Sequence, residues 1–360
     1  MKKTDITPLV RPNIRSLRAY EAKEIPCRAK LDANESPYPL ADCRSRKFAI
    51  PLGRVMSNRY PDPDAKELRK VVGSYFGVPS RNLLQGNGSD ELISSLITTF
   101  GGPVLYPVPT FSMYGIISQA LGEKGIAVPL DRSFDIDLER ILKTIRSQNP
   151  KLIFLSSPNN PTGNCFSSGK ILKVIEKSKG IVVVDEAYQP FSSQRGFLPL
   201  LKDYQHLVIM RTLSKIGLAA LRLGFLIAHP EIIREVNKVR LPFNVNSLSQ
   251  AIAIAAMKDR KRLHSSIKTI IRERDRLQNE MEEIRGITSF PSEANFILFR
   301  VKYPDKVYSL LLKKGVLVRN LHSGIKGCLR LTVGTPEENT LFLKTLKSAF
   351  TEGSFRRREV

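Results

Sequence analysis

Lys215 stands in the run Arg211, Thr212, Leu213, Ser214, Lys215, Ile216, Gly217, a hydroxyl-bearing turn between two apolar stretches, with Arg222 seven residues downstream. A lysine amine becomes a covalent catalyst when it condenses with a carbonyl, and neighbouring hydroxyls and a guanidinium can hold a phosphate tail. These are the groups that anchor an aldehyde cofactor carrying a phosphate. A Ser-Lys pair taken alone is most often solvated surface, so this chemistry needs companions elsewhere in the chain.

Three candidates are present. Asp185 ends the apolar run Ile181 to Val184 and is followed by Glu186, Ala187 and Tyr188. In an α/β sheet the carboxyl ends of strands face the ligand crevice, and a carboxylate there can keep a pyridine nitrogen protonated, making the ring an electron sink. An acid capping the next turn is the plainer alternative. The turn Ser157, Pro158, Asn159, Asn160, Pro161, Thr162, Gly163 follows another apolar run. Its prolines and glycine make it rigid, so the Asn160 amide, together with Tyr188, can point at a ring oxygen with little ordering cost. Finally, Gly86, Asn87, Gly88, Ser89, Asp90 and Glu91 open a helical stretch that runs to Phe100. Free amides at a helix N-terminus bind phosphate with help from the helix dipole, and with Thr212, Ser214 and Arg222 they complete a phosphate cup. Simple capping by Ser89 would explain the same residues.

The elements that must position these groups read as a layered α/β arrangement with a mostly parallel sheet. Pro103 to Tyr106, Lys151 to Leu155, Ile181 to Val184, Leu207 to Met210 and Gly224 to Ala228 are short continuous apolar runs suited to a sheet covered on both faces. Amphipathic stretches such as Ser89 to Phe100 and Ser168 to Lys179 lie between several of them. After Gln250 the pattern becomes one long helix, with Ile267, Ile270, Ile271, Leu277, Met281 and Ile284 on a single face. Beyond Gly286 the order reads strand (Ala294 to Val301), helix (Lys306 to Lys314), strand (Val316 to Arg319), strand (Cys328 to Val333) and helix (Pro336 to Phe350). Thr335, Pro336 and Glu338 supply the N-cap, the first helical position and the capping box of the last helix. The expected organisation is an N-terminal arm with part of a small domain over 1–45, a large cofactor-binding domain over 46–250, a small α+β domain over 251–350, and a basic, disordered tail over 351–360.

The 360 residues carry a net charge of +23, from 57 basic and 34 acidic side chains. Such a field draws anions, yet the excess is spread along the chain without a nucleic-acid motif, so solvated helix faces and small anionic ligands are expected rather than specific nucleic-acid binding. No apolar run reaches membrane-span length and the start lacks a signal-peptide core, which makes a cytoplasmic protein the default. Cys27, Cys43, Cys165 and Cys328 are scattered, and His206, His229, His264 and His322 lack ligand spacing, so neither a disulfide framework nor a metal site is expected.

The ordered set Gly86 to Glu91, Ser157 to Gly163, Asp185 to Tyr188 and Ser214 to Arg222 resembles the fold-type I aminotransferases, which depend on pyridoxal 5'-phosphate. Within that group the chain is most similar to the histidinol-phosphate aminotransferase family: Arg11 to Ile14, Tyr20, Leu31 to Pro37 and Asn58 to Asp62 resemble its N-terminal signature, and Gly315 to Asn320 and Cys328 to Asn339 its C-terminal one. The resemblance covers about residues 8 to 350. It implies a fold-type I architecture, with a mostly parallel seven-stranded sheet in the large domain and a smaller α+β domain.

It also implies roles. Lys215 would carry the cofactor as a Schiff base, with Asp185 on the ring nitrogen, Asn160 and Tyr188 on the ring oxygen, and Phe111 stacked on the ring. Gly88, Ser89, Asp90, Thr212, Ser214 and Arg222 would hold the phosphate, joined by Tyr60 from the partner subunit of a homodimer. Arg330 would grip the substrate anion with Tyr20 and Arg319 as helpers, although a structural ion pair would account equally for Arg319. The implied reaction moves an amino group between L-histidinol phosphate and 2-oxoglutarate in histidine biosynthesis, in alternate half-reactions. An aromatic amino-acid aminotransferase, a threonine-phosphate decarboxylase and a catalytically silent DNA-binding relative remain open. The chain departs from the pattern in two places: Arg222 lies seven rather than eight positions after Lys215, and Ala220 stands where glycine is frequent, which reads as a shortened loop.

Overall fold

A computed structural model of the protein describes residues 5–19, 25–43 and 45–351. Tyr20 and the basic tail beyond 351 lie outside the described residues.

Twelve strands form two sheets among the described residues: β1 (Ala29–Leu31), β2 (Leu83–Asn87), β3 (Val104–Val108), β4 (Gly125–Pro129), β5 (Leu152–Ser156), β6 (Ile181–Asp185), β7 (Leu207–Thr212), β8 (Leu223–Ala228), β9 (Ile287–Ser289), β10 (Phe296–Val301), β11 (Val316–Asn320) and β12 (Cys328–Thr332). The larger sheet has the order β2-β8-β7-β6-β5-β3-β4. Strands β7, β6, β5, β3 and β4 run parallel, and β8 is antiparallel to both of its neighbours. Its central strands are apolar throughout because both faces are covered. Val182 and Val184 enter one core while Val183 enters the other, and Ile153 and Leu155 alternate with Leu152 and Phe154 in the same way.

The smaller sheet has the order β1-β11-β12-β10-β9, with β1 parallel to β11 and the remaining pairs antiparallel. Part of the N-terminal segment is therefore inside the smaller sheet, Ala29 and Leu31 being fully buried. Three residues with a charged centre (Ala, Lys, Leu) carry too little periodicity to announce a strand. Strands β2 and β4 were equally silent in the sequence: β2 contains Gln85, Gly86 and Asn87, and only Val128 of β4 is buried.

The single long helix expected after Gln250 is two helices, Ser247–Met257 and Arg260–Glu282. Asp259 breaks it, because its carboxylate accepts the Arg262 amide at 3.2 Å and so caps a new start. The expected apolar face survives the break, with Leu263, Ile267, Ile270, Leu277 and Met281 buried. The capping box of the last helix forms: the Thr335 amide donates to Glu338 Oε2 at 2.8 Å and the Glu338 amide to Thr335 Oγ1 at 3.2 Å.

Candidate active site

Asp185 sits at the carboxyl end of β6 and is 4% exposed. Its carboxylate accepts the Tyr114 hydroxyl at 2.7 Å and the Ala187 amide at 3.0 Å. Among the described residues no cationic side chain forms a salt bridge with it. Burial dominates over these two donors and pushes its pKa up to about 6. Tyr114, wholly buried, has its own pKa raised by burial and by the neighbouring Asp185 charge. Its ring stacks on Phe154 at 4.7 Å and meets the edge of Phe111 at 5.6 Å. Phe111 is thereby fixed close to the acid it was expected to accompany.

The turn after β6 presents Tyr188, whose ring centroid lies 5.8 Å from Lys215 Nζ. Lys215 is on a short helical turn, Ser214–Ile216, which Gly217 ends with φ +97°. A Cβ at Gly217 would lie 2.5 Å from the Tyr38 carbonyl oxygen, so a side chain there would push the turn away. Asn160 accepts through Oδ1 from Arg330 Nη1 at 2.6 Å, which leaves its Nδ2 as the donor end of the amide. Arg330 also donates to the Asp32 carbonyl at 2.8 Å and lies over the Phe296 ring. Arg319 faces Arg330 in register across β11 and β12. Residues opposed in an antiparallel pair share a sheet face, so two cations stand side by side.

A second cluster forms where β8 meets the start of the helix Ser89–Phe100. Gly88 is the N-cap with φ +84° and no side-chain cap is made, so Ser89 does not cap this helix. A Cβ on Gly88 would fall 2.6 Å from Arg222 Nη2, and one on Gly224 would fall 2.9 Å from the Ser89 amide nitrogen. Only bare backbone fits. Arg222 reaches Ser214 Oγ at 3.5 Å and Asp90 Oδ2 at 3.4 Å, while Thr212 Oγ1 lies 3.0 Å from Ser214 Oγ. The short loop therefore still brings Arg222 to this cluster. It does so through a left-handed backbone at Arg222 itself, φ +52°.

Tyr60 is elsewhere. It is 81% exposed, stacked on Phe243 at 4.5 Å, and lines a cavity of about 640 Å³ to which none of the residues above contributes. Two participants escaped the sequence reading. Tyr114 stands one helical turn after Phe111, a spacing that could have flagged it, and Asn34 lay unremarked within a quoted motif. The Asn34 amide nitrogen Nδ2 donates to Tyr188 Oη at 3.0 Å. Among the described residues no group of three or more His, Cys, Asp or Glu side chains could hold a metal, and no helix is long and apolar enough to cross a membrane.

The pattern of the family Aminotransferase class I and II matches residues 30–346. The chain belongs to this family. Among curated relatives, this aminotransferase is 45% identical over 349 residues to the histidinol-phosphate aminotransferase of Aquifex aeolicus (strain VF5), covering 95% of this chain and 98% of that one. Among solved structures it is similar to the histidinol-phosphate aminotransferase of Clostridium acetobutylicum, with TM-score 0.82 and 27% identity over 90% of this chain and 99% of that chain. It also matches in fold the histidinol-phosphate aminotransferase of Sinorhizobium meliloti, solved in complex with pyridoxal-5'-phosphate, with TM-score 0.83 and 22% identity over 95% of this chain and 98% of that one. The seven-stranded, largely parallel sheet with a smaller second sheet is the fold-type I architecture that the sequence implied.

Proposed function

We propose that this aminotransferase binds pyridoxal 5'-phosphate and moves an amino group between L-histidinol phosphate and 2-oxoglutarate in alternate half-reactions, within histidine biosynthesis. The observation that carries the reading is Asp185: a buried carboxylate without a cationic side chain asks for a cation, and a protonated pyridine nitrogen is one. The closely approached backbones of Gly88 and Gly224 beside Arg222 fit a phosphate in the same manner. When bound, the cofactor supplies an electron sink for charge that develops at the substrate carbon.

The chain's own residues divide the remaining work. Lys215 would be the residue that holds the cofactor aldehyde, and its amine would carry a proton to and from the substrate carbon. Asp185 would keep the ring nitrogen protonated, Asn160 and Tyr188 would be the donors for the ring oxygen, and Phe111 would supply an aromatic face for the ring. The amides beginning at Gly88 and Ser89, with Thr212, Ser214 and Arg222, hold the phosphate, and Asp90 orients the Arg222 guanidinium. Arg330 and Arg319, with Tyr20, take the anionic end of each substrate, since a guanidinium fits phosphate and carboxylate alike. Tyr60 serves the site of a second copy in a homodimer, a reading supported by its exposure and by the exposed apolar Met56, Leu241 and Leu248. Residues 46–250 form the cofactor-binding domain in this scheme, and 251–350 with the N-terminal segment form the smaller one.

The substrate follows from the relative's name together with the paired arginines. Steady-state kinetics with 2-oxoglutarate as acceptor test it. Histidinol phosphate is expected to exceed phenylalanine in kcat/KM by ~100-fold or more, because phenylalanine offers the arginines a carboxylate in place of a phosphate, with less charge and fewer acceptor oxygens, and carries no imidazole nitrogens. A preference for phenylalanine sinks the assignment, and carbon dioxide release from threonine phosphate replaces it with a decarboxylase.

A further inference from the structure

Asn34 is 1% exposed and holds φ +55°, a left-handed conformation that asparagine tolerates better than most residues. Every polar group of this residue is engaged. Its backbone amide donates to Thr332 Oγ1 at 2.9 Å, and its carbonyl accepts from Asn295 Nδ2 at 3.1 Å. The Thr332 hydroxyl in turn donates to Asn34 Oδ1 at 3.2 Å. The side-chain amide thus turns its acceptor oxygen to Thr332 and its donor nitrogen to Tyr188. Nδ2 then donates to Tyr188 Oη at 3.0 Å.

A phenol whose oxygen already accepts a hydrogen bond keeps its own O–H free to donate elsewhere, and accepting one bond strengthens the next one it gives. We propose that Asn34 is a positioning residue that sets the polarity of Tyr188, fixing its hydroxyl as a donor aimed at the cofactor ring oxygen and tying that donor to strand β12 of the small sheet through Thr332. The inference rests on the cofactor assignment above. It adds that the direction of the Tyr188 bond is imposed from the N-terminal segment, three residues past β1, and not by Tyr188 alone.

Two substitutions separate this from a merely structural role. Asn34→Gly deletes the donor while suiting the left-handed backbone, and Asn34→Asp keeps the shape but presents an acceptor, so the Tyr188 proton turns towards residue 34. A donor on the ring oxygen draws charge from it and lowers the pH at which the Lys215 nitrogen, joined to the cofactor, loses its proton. The readout is the visible absorbance of the cofactor-loaded full chain titrated against pH, without substrate. The midpoint is expected to rise by about one pH unit in Asn34→Asp, the scale of one hydrogen bond, and by less in Asn34→Gly. In a Tyr188→Phe background most of each shift should vanish. The proposal is overturned if the shifts persist undiminished in that background, or if Tyr188→Phe moves the midpoint while both Asn34 variants leave it in place. Absence of a visible band when the unmodified protein is mixed with pyridoxal phosphate defeats the cofactor reading itself, and this inference with it.

Discussion

The two ends of the cleft are built to different standards. Around Asp185 the bonds are 2.7 to 3.0 Å, the partner Tyr114 is fully buried, and its ring is clamped by Phe154 and Phe111. Around Arg222 the contacts stretch to 3.4 and 3.5 Å, and the guanidinium is half exposed. The first end draws its rigidity from the core of the large sheet and is finished before any ligand arrives. The second is one half-exposed guanidinium, its acidic neighbour and bare backbone, and a phosphate would complete it. Under the proposed function, preorganisation falls where a proton and a charge would be placed, and misplacement there would cost most in rate.

Substitutions can break or sharpen this contrast. The largest effect is expected for Lys215→Ala, which would remove both the proposed attachment point and the proposed proton carrier. Turnover should fall by ~10⁴-fold or more, measured as keto-acid formation, whereas the fold, followed by circular dichroism, should hold. Full activity in that variant would end the central assignment.

Asp185→Asn tests the rigid end in two opposed ways. It should cost ~10²-fold or more in kcat, yet stabilise the cofactor-free protein near neutral pH. In the folded state Asp185 keeps its proton up to about pH 6, while the unfolded chain releases it near the ordinary aspartate value of 3.8. Between these values the folded state binds more protons, so stability of the apoprotein falls as pH rises through this window and levels off above it. The difference corresponds to about 3 kcal/mol. Melting curves of the apoprotein between pH 4 and 8 should show this decline in the unsubstituted chain and a weaker one in Asp185→Asn. A flat profile in both would mean that the carboxylate is better solvated than its burial implies.

At the loose end Arg222→Ala should weaken cofactor retention by about 10-fold, an effect kept small by the exposure of the guanidinium. Equilibrium dialysis of the cofactor checks it, and a loss comparable to that of Lys215→Ala would show that the two ends are not so different after all.

The rigid end was also the more legible in sequence. Continuous apolar strands announce themselves, and a strand that stops at an acid such as Asp185 carries its direction with it. The small sheet was only half visible, since β1 and β9 are three-residue strands, and β1 pairs with β11 from the far end of the chain. Asn34 and Tyr114 were missed for a related reason: neither forms a local pattern with the residue it serves, Tyr188 and Asp185 being 154 and 71 positions away. The interruption at Asp259 was hidden because the apolar period continues across it. The shortened loop could be seen, but not its remedy, because the inverted backbone at Arg222 is a property of geometry rather than of residue type.

The facing arginines of β11 and β12 have one more consequence. In register on one face, Arg319 and Arg330 set two like charges side by side, and under the proposed function the anionic end of each substrate would act as mortar between them. A single gap of this kind would serve the phosphate of one proposed reactant and the carboxylates of the other, and both could not occupy it at once. The two reactants would have to queue, and whichever is gripped too firmly would stall the other.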